Sequence, residues 1–173
     1  MSIRSYEEST VGQAISSANT SINSKRLPAV FSKVDFQPGT INLDIGGGKF
    51  DNVAEHLALQ DVANYVMDPY NRTEEHNNRI FELIRYMGGA DTITISNVLN
   101  VIAEEPVRAV VLHTAYDLLS ISGTLYITIY KAPKTGITKA GYQLGRDLRE
   151  YLEEVREIFP NAVVRGSMIV ATI

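Results

Sequence analysis

A chain of 173 residues, 45% of them hydrophobic, has the size of one domain able to bury its own core. It contains no cysteine, which excludes disulfides, thiolate metal sites and a cysteine nucleophile. The net charge of −4 is uneven, with five basic and twelve acidic groups in residues 41–130 against seven and five in residues 131–173, and no long basic stripe with interleaved aromatics offers a duplex many phosphate contacts. No apolar run is long enough to span a bilayer and no cleavable signal precedes the body of the chain, so a cytoplasmic protein without a membrane partner is expected.

Residues 1–26 are rich in Ser, Thr and Asn, with Val11, Ala14, Ile15 and Ala18 at helical spacing. Residues 1–39 are expected to form an amino-terminal helix or lid belonging to the same domain as residues 40–173. Lys25, Arg26, Pro28 and Phe31 would fold over a ligand or cap a sheet edge.

Residues 40–51 carry the clearest signal. An apolar run with strand character ends at Asp44 and Ile45 and passes into Gly46, Gly47 and Gly48, which adopt backbone angles closed to other residues and let a ligand approach the main chain. Asp51 and Asn52 supply capping chemistry for a helix through Val53, Ala54, Leu57 and Ala58. A phosphate-cradling P-loop would need glycine at Leu43 and a hydroxyl at Phe50; the dinucleotide fingerprint would need glycine at Asp51. What remains is an acid-x-Gly-x-Gly turn.

Residues 63–67 read as a second strand ending at Asp68, 24 positions beyond Asp44. That is the place at which a Rossmann-like sheet holds ribose hydroxyls, since a carboxylate accepts two hydrogen bonds from a vicinal diol. Pro69 and Tyr70 follow and offer flat surfaces to an adenine ring. A helix is expected over residues 73–87. The next strand, through Ile95, turns polar at Ser96 and Asn97 before Val98 and Asn100.

Beyond it the pattern predicts a helix over residues 106–120, a turn at Ser122 and Gly123, a strand over 124–130, a basic loop over 131–146, a helix over 143–159 and a final hairpin turning at Gly166. The loop holds Lys131, Lys134, Lys139 and Arg146 and could attract phosphate or carboxylate. His56, His76 and His113 fall in three separate predicted helices without metal-ligand spacing, so no metal is expected. No G-x-S-x-G elbow supports a serine hydrolase.

Taken in order, the glycine turn, Asp68 and the Ser96–Asn97 strand end resemble motifs of the class I S-adenosylmethionine-dependent methyltransferases over roughly residues 40–130. The run from Ser96 to Ile102, with residues 140–144 and Tyr151, is also similar to small phage-encoded and DNA-modification-associated methyltransferases. The resemblance implies a Rossmann-like three-layer α/β sandwich, mostly parallel, with a reversed last strand. It implies S-adenosylmethionine as cofactor, with Asp44, Ile45 and Gly46 to Gly48 around the methionine part, Asp68 on the ribose, Pro69 and Tyr70 beside the adenine, and Asn97 and Val98 near the sulfonium.

The sequence departs from the family by leaving only Met87-Gly88-Gly89-Ala90 where a third strand and its helix belong, so the sheet is expected to be shortened there. The acid that normally follows that strand has no clear equivalent, Asp91 being a poor candidate. The implied activity is methyl transfer to an oxygen or nitrogen of a small molecule or nucleic-acid component. No catalytic residue is assigned; Asn97 and Asn100 are candidates for positioning, and Tyr130, Lys131, Tyr142 and Gln143 for acceptor contacts. Amino methylation of DNA bases commonly uses a motif with two prolines and an aromatic, absent from Ser96-Asn97-Val98-Leu99. The alternative is a protein that binds the cofactor without methyl transfer, sequestering it or acting through a partner.

Overall fold

The computed structural model describes residues 26–138 and 141–173. The helical spacing at residues 11–18, Lys25 and Lys139 lie outside the described residues.

Four parallel strands form the body of the sheet: β1 (Ile41–Ile45), β2 (Ala63–Met67), β3 (Ala90–Ser96) and β4 (Leu119–Thr128). After a short antiparallel ribbon of β5 (Gly136–Thr138) and β6 (Gly141–Gln143), the chain closes with β7 (Val163–Arg165) and β8 (Met168–Ala171). The main sheet runs β2-β1-β3-β4-β8-β7, with β8 antiparallel to β4. The hairpin turns at Gly166, whose φ of 59° suits a residue without Cβ. The reversed last strand and the shortened sheet expected from the sequence are both present, since β3 follows β2 in the chain and no strand lies outside β2 among the described residues.

This shortening decides where the helices go. The step from β1 to β2 moves outward, and the step from β2 to β3 returns across β1, so right-handed crossovers put the connecting helices on opposite faces. Helix α1 (Asn52–Ala58) accordingly packs Val53 and Leu57 with Val30, Phe31 and Phe36 on one face. Helix α2 (Glu74–Tyr86) packs Ile80 and Ile84 on the other, with Val111, Leu112 and Ala115 of α3 (Glu105–Leu118) and Val155 of α4 (Leu152–Arg156). Phe31 therefore lies in a core beneath α1, not over a ligand.

Local chemistry sets the helix ends. Thr73 Oγ1 accepts from the His76 amide at 3.1 Å and starts α2, with Glu74 and Glu75 in the first turn and Arg85 in the last. Gly89, at φ 104°, ends the exit from α2 where a Cβ would lie 2.6 Å from the Ser120 amide nitrogen.

Three expected boundaries differ. Ser122 and Gly123 lie inside β4, where the pairing with β3 shifts register and a Cβ on Gly123 would meet the Ala90 carbonyl at 2.8 Å. The basic loop contains the β5–β6 ribbon. The helix expected over 143–159 begins only at Leu148, as a 3-10 turn (Leu148–Tyr151) running into α4, because Asp147 and Glu150 form a reciprocal capping box there. Gln143 belongs to β6.

Candidate active site

The carboxyl ends of β1, β2 and β3 converge where the strand order reverses, the place at which open α/β sheets bind ligands. β1 ends at Ile45, whose side chain is in the apolar core, so Ile45 meets the crevice only through its backbone. Gly46 and Gly48 follow at φ 79° and 78°, and the Gly46 amide donates to the Met67 carbonyl at 2.7 Å. A Cβ on Gly46 would lie 2.4 Å from Val98 Cγ2, and one on Gly47 2.4 Å from Asp44 Oδ2. The glycines are thus required by two neighbours that the sequence also singled out.

Asp44 is 2% exposed and accepts a 2.9 Å hydrogen bond at Oδ1 from Thr94 Oγ1. Its other oxygen faces the glycine turn. Burial raises its pKa from 3.8 to about 7, opposed by the Thr94 hydrogen bond, with Asp68 adding to the rise and Arg72 opposing it.

Asp68 holds the turn together. Its Oδ2 accepts from the Gly48 amide at 2.9 Å, and Oδ1 accepts from the amides of Tyr70 and Asn71 and from Asn71 Nδ2 at 2.9, 2.9 and 3.0 Å. With about four acceptor sites on a carboxylate, most are filled, and Oδ2 keeps room for one more donor. Behind it, Asn77 pairs with the Asp68 peptide as a neighbouring strand would, Oδ1 accepting at 2.9 Å and Nδ2 donating at 3.0 Å.

Arg72 clamps the same turn from outside, donating to the Gly48 and Phe50 carbonyls at 2.8 and 3.1 Å and to Asp51 Oδ1 at 2.7 Å. Asp51 precedes α1 but makes no side-chain cap bond, its carboxylate being turned to Arg72. Pro69 is half-buried and Tyr70 is 39% exposed at the rim; burial, then Asp68 and Glu104, push the Tyr70 hydroxyl up to about 12.

β3 brings Asn97 and Val98 to the crevice. Asn97 is exposed at φ 58°, a region that Asn tolerates better than most residues, and its amide donates to the Thr128 carbonyl at 2.9 Å. Val98 packs on Gly46. Asn100 is 1% exposed, with Nδ2 donating to Gln143 Oε1 at 3.0 Å and its carbonyl accepting from the Leu144 amide at 2.7 Å, so β6 is fastened over the turn after β3. Tyr142 lies next to this pair in β6, half-buried. Tyr130 is 55% exposed, and Lys131 pairs with Asp147 at 2.8 Å, which raises its pKa.

Asp91 stands apart, its Oδ2 accepting from the Ile41 amide at 2.8 Å at the amino end of β1. It is a structural residue at the opposite end of the sheet. Among the described residues no cluster of His, Asp and Glu could hold a metal, and no helix is long and apolar enough to cross a membrane. The sequence reading missed Thr94, Arg72 and Asn77. Arg72 had a signal, being the sole Lys or Arg between Phe50 and Asn78; Thr94 and Asn77 act only through strand register and helix docking.

No family model matches the chain, and no curated protein matches it by sequence. Solved structures do. An O-methyltransferase from neocarzinostatin biosynthesis, in complex with S-adenosyl-L-homocysteine and 1,4-dihydroxy-2-naphthoic acid, is similar with a TM-score of 0.59 and 14% identity over 93% of this chain and 57% of its own. A TehB-like S-adenosylmethionine-dependent methyltransferase from Corynebacterium glutamicum gives 0.51 and 16% over 96% and 90%. Phosphoethanolamine N-methyltransferase 2 of Haemonchus contortus, in complex with phosphomonomethylethanolamine and S-adenosylhomocysteine, gives 0.52 and 15% over 79% of this chain. The chain spans only 37% of that protein's length. The sheet order, the glycine turn at its reversal and these similarities together show that the chain has the fold of the class I S-adenosylmethionine-dependent methyltransferases.

Proposed function

We propose that this chain is an S-adenosylmethionine-dependent methyltransferase acting on an oxygen or nitrogen of a small molecule or nucleic-acid component. The observation that carries the reading is the glycine turn lying between Asp44 and Asp68, with Gly47 leaving no space for a side chain above Asp44. The residues fit the cofactor. Gly46 to Gly48 expose main chain to the methionine part, and Asp44 Oδ2 offers an acceptor beneath them. The remaining acceptor site on Asp68 Oδ2 suits one ribose hydroxyl, while Tyr70 and Pro69 border the adenine side and Asn97 and Val98 the reacting methyl.

When bound, the cofactor supplies a methyl group on a good leaving group, so that in-line attack by the acceptor releases S-adenosylhomocysteine and the acceptor's proton. The chain's task is to align the two reactants, an effect that can be worth roughly 7–11 kcal/mol. Asn97 and the Asn100–Gln143 pair position the acceptor side, walled by β6. Support for the reading comes from the fold and from neighbours described as methyltransferases in complex with S-adenosylhomocysteine and a second small molecule.

Calorimetric titration with S-adenosylmethionine and S-adenosylhomocysteine tests it, read beside Asp44→Asn. Asp44 must be ionised to receive a cationic ligand, so with its pKa at about 7 the affinity should rise about tenfold between pH 6 and pH 8, and Asp44→Asn should lose that rise. Absence of binding to either compound in folded protein sinks the reading. Tight binding without accumulation of S-adenosylhomocysteine in any acceptor pool would leave cofactor holding in place of transfer.

A further inference from the structure

The outer edge of β2 faces a cavity of about 410 Å³. It lies between α1, on one face of the sheet, and α2, on the other, in the flank where the family resemblance would place a third strand. Its lining includes two guanidinium groups with donors to spare. Arg72 has five N–H donors, of which Nε and Nη2 are engaged, leaving Nη1 without a partner among the described residues. Arg79 makes no hydrogen bond or ion pair among the described residues. Asn64 Nδ2 is buried and unpartnered, although its Oδ1 accepts from Asn42 at 2.7 Å. The acid on the rim, Asp51, is turned to Arg72.

Apolar surface comes from Ala54, Val66, Ile80 and Leu83, and Tyr65 and His76 complete the lining. An added strand is not the natural occupant, because His76 Nε2 lies 2.9 Å from the Val66 carbonyl and Asn77 pairs with the Asp68 peptide, so much of the edge is already covered. Guanidinium donors and hydrocarbon lining the same cavity call for a ligand with an anionic head and an apolar body.

We propose that this cavity binds a small organic anion, its carboxylate or phosphate head taken by Arg72 and Arg79 and its apolar body laid against Ala54, Ile80 and Leu83. The site does not depend on the cofactor reading. Because Arg72 also grips the Gly48 carbonyl, an occupant should be felt at the glycine turn.

Amide-resolved NMR titration of the full chain with hexanoate, hexyl phosphate and hexan-1-ol tests the proposal. Saturable shifts of Ala54 and Leu83 with either anion, a smaller parallel shift at Gly48, and weak response to the alcohol are expected; the stronger of the two anions identifies the preferred head. Arg79→Gln, at an exposed helix position, should weaken the anion by about 10- to 100-fold, as loss of a charge-assisted hydrogen bond requires. Equal binding of hexan-1-ol, no saturable shift at these residues with either anion, or unchanged affinity in Arg79→Gln would overturn it.

Discussion

The two faces of the central sheet are built from alternate residues of the same strands, yet they do different work. On the face covered by α2, α3 and α4, Leu43, Ile45, Ile93, Ile95, Leu125 and Ile127 are all at most 2% exposed and join one apolar cluster. On the face covered by α1, the intervening positions are Asn42, Asp44, Thr92, Thr94 and Ser96. They bond to one another across the strands: Asn42 to Asn64 and Thr94, Thr92 to Asn42, Thr94 to Asp44, and Thr128 to Ser96. The apolar face supplies non-directional cohesion. The polar face supplies direction, fixing which residue lies beside which, and its chain of bonds ends on Asp44 beneath the glycine turn.

Truncation on the apolar face should give the largest loss. Ile93 is fully buried, and Ile93→Ala should destabilise the fold by about 2–5 kcal/mol in urea unfolding. Its neighbour on the other face should show the opposite sign. Asp44 has a folded pKa of about 7 against 3.8 for the ordinary group, so its contribution is fully present below about pH 4 and is lost as pH rises to about 7. Asp44→Asn should therefore stabilise the protein at pH 8, by up to about 4 kcal/mol, and flatten the fall in melting temperature between pH 4 and 7. A destabilised Asp44→Asn at pH 8 would break the comparison, since it would make the polar face cohesive in its own right.

Smaller effects sharpen it at the open edge. Asn77→Ala leaves the Asp68 peptide without its substitute strand and should cost about 1–3 kcal/mol, with faster hydrogen exchange at Asp68. Thr73→Ala, which removes only the α2 cap, should cost about 1 kcal/mol in thermal melts and leave exchange at Asp68 unchanged.

Much of this architecture was legible in the chain. The glycine triplet after Asp44, the placement of Asp68 at a second strand end, and the short Met87–Ala90 connection that leaves out a strand are local or order-based signals, and the fold retains all three. What was not legible depends on contacts far apart in sequence. Gln143 reads as helical by pattern but pairs in β6 because Asn100 and the Leu144 amide hold that segment over the turn after β3. Asp68 reads as a free diol acceptor but is largely saturated by the amides of Gly48, Tyr70 and Asn71.

By itself the sequence determined the strand-to-turn transitions and the order of the elements, because strand patterning and glycine's access to positive φ are properties of the local chain. The tertiary structure alone decided that Arg72 grips the glycine turn, that Thr94 meets Asp44, and that α1 and α2 part to either side of β2 and leave a cavity at its edge. Those outcomes rest on register and crossover hand, which bring together residues separated by 24, 50 or more positions and leave no mark on either segment read alone.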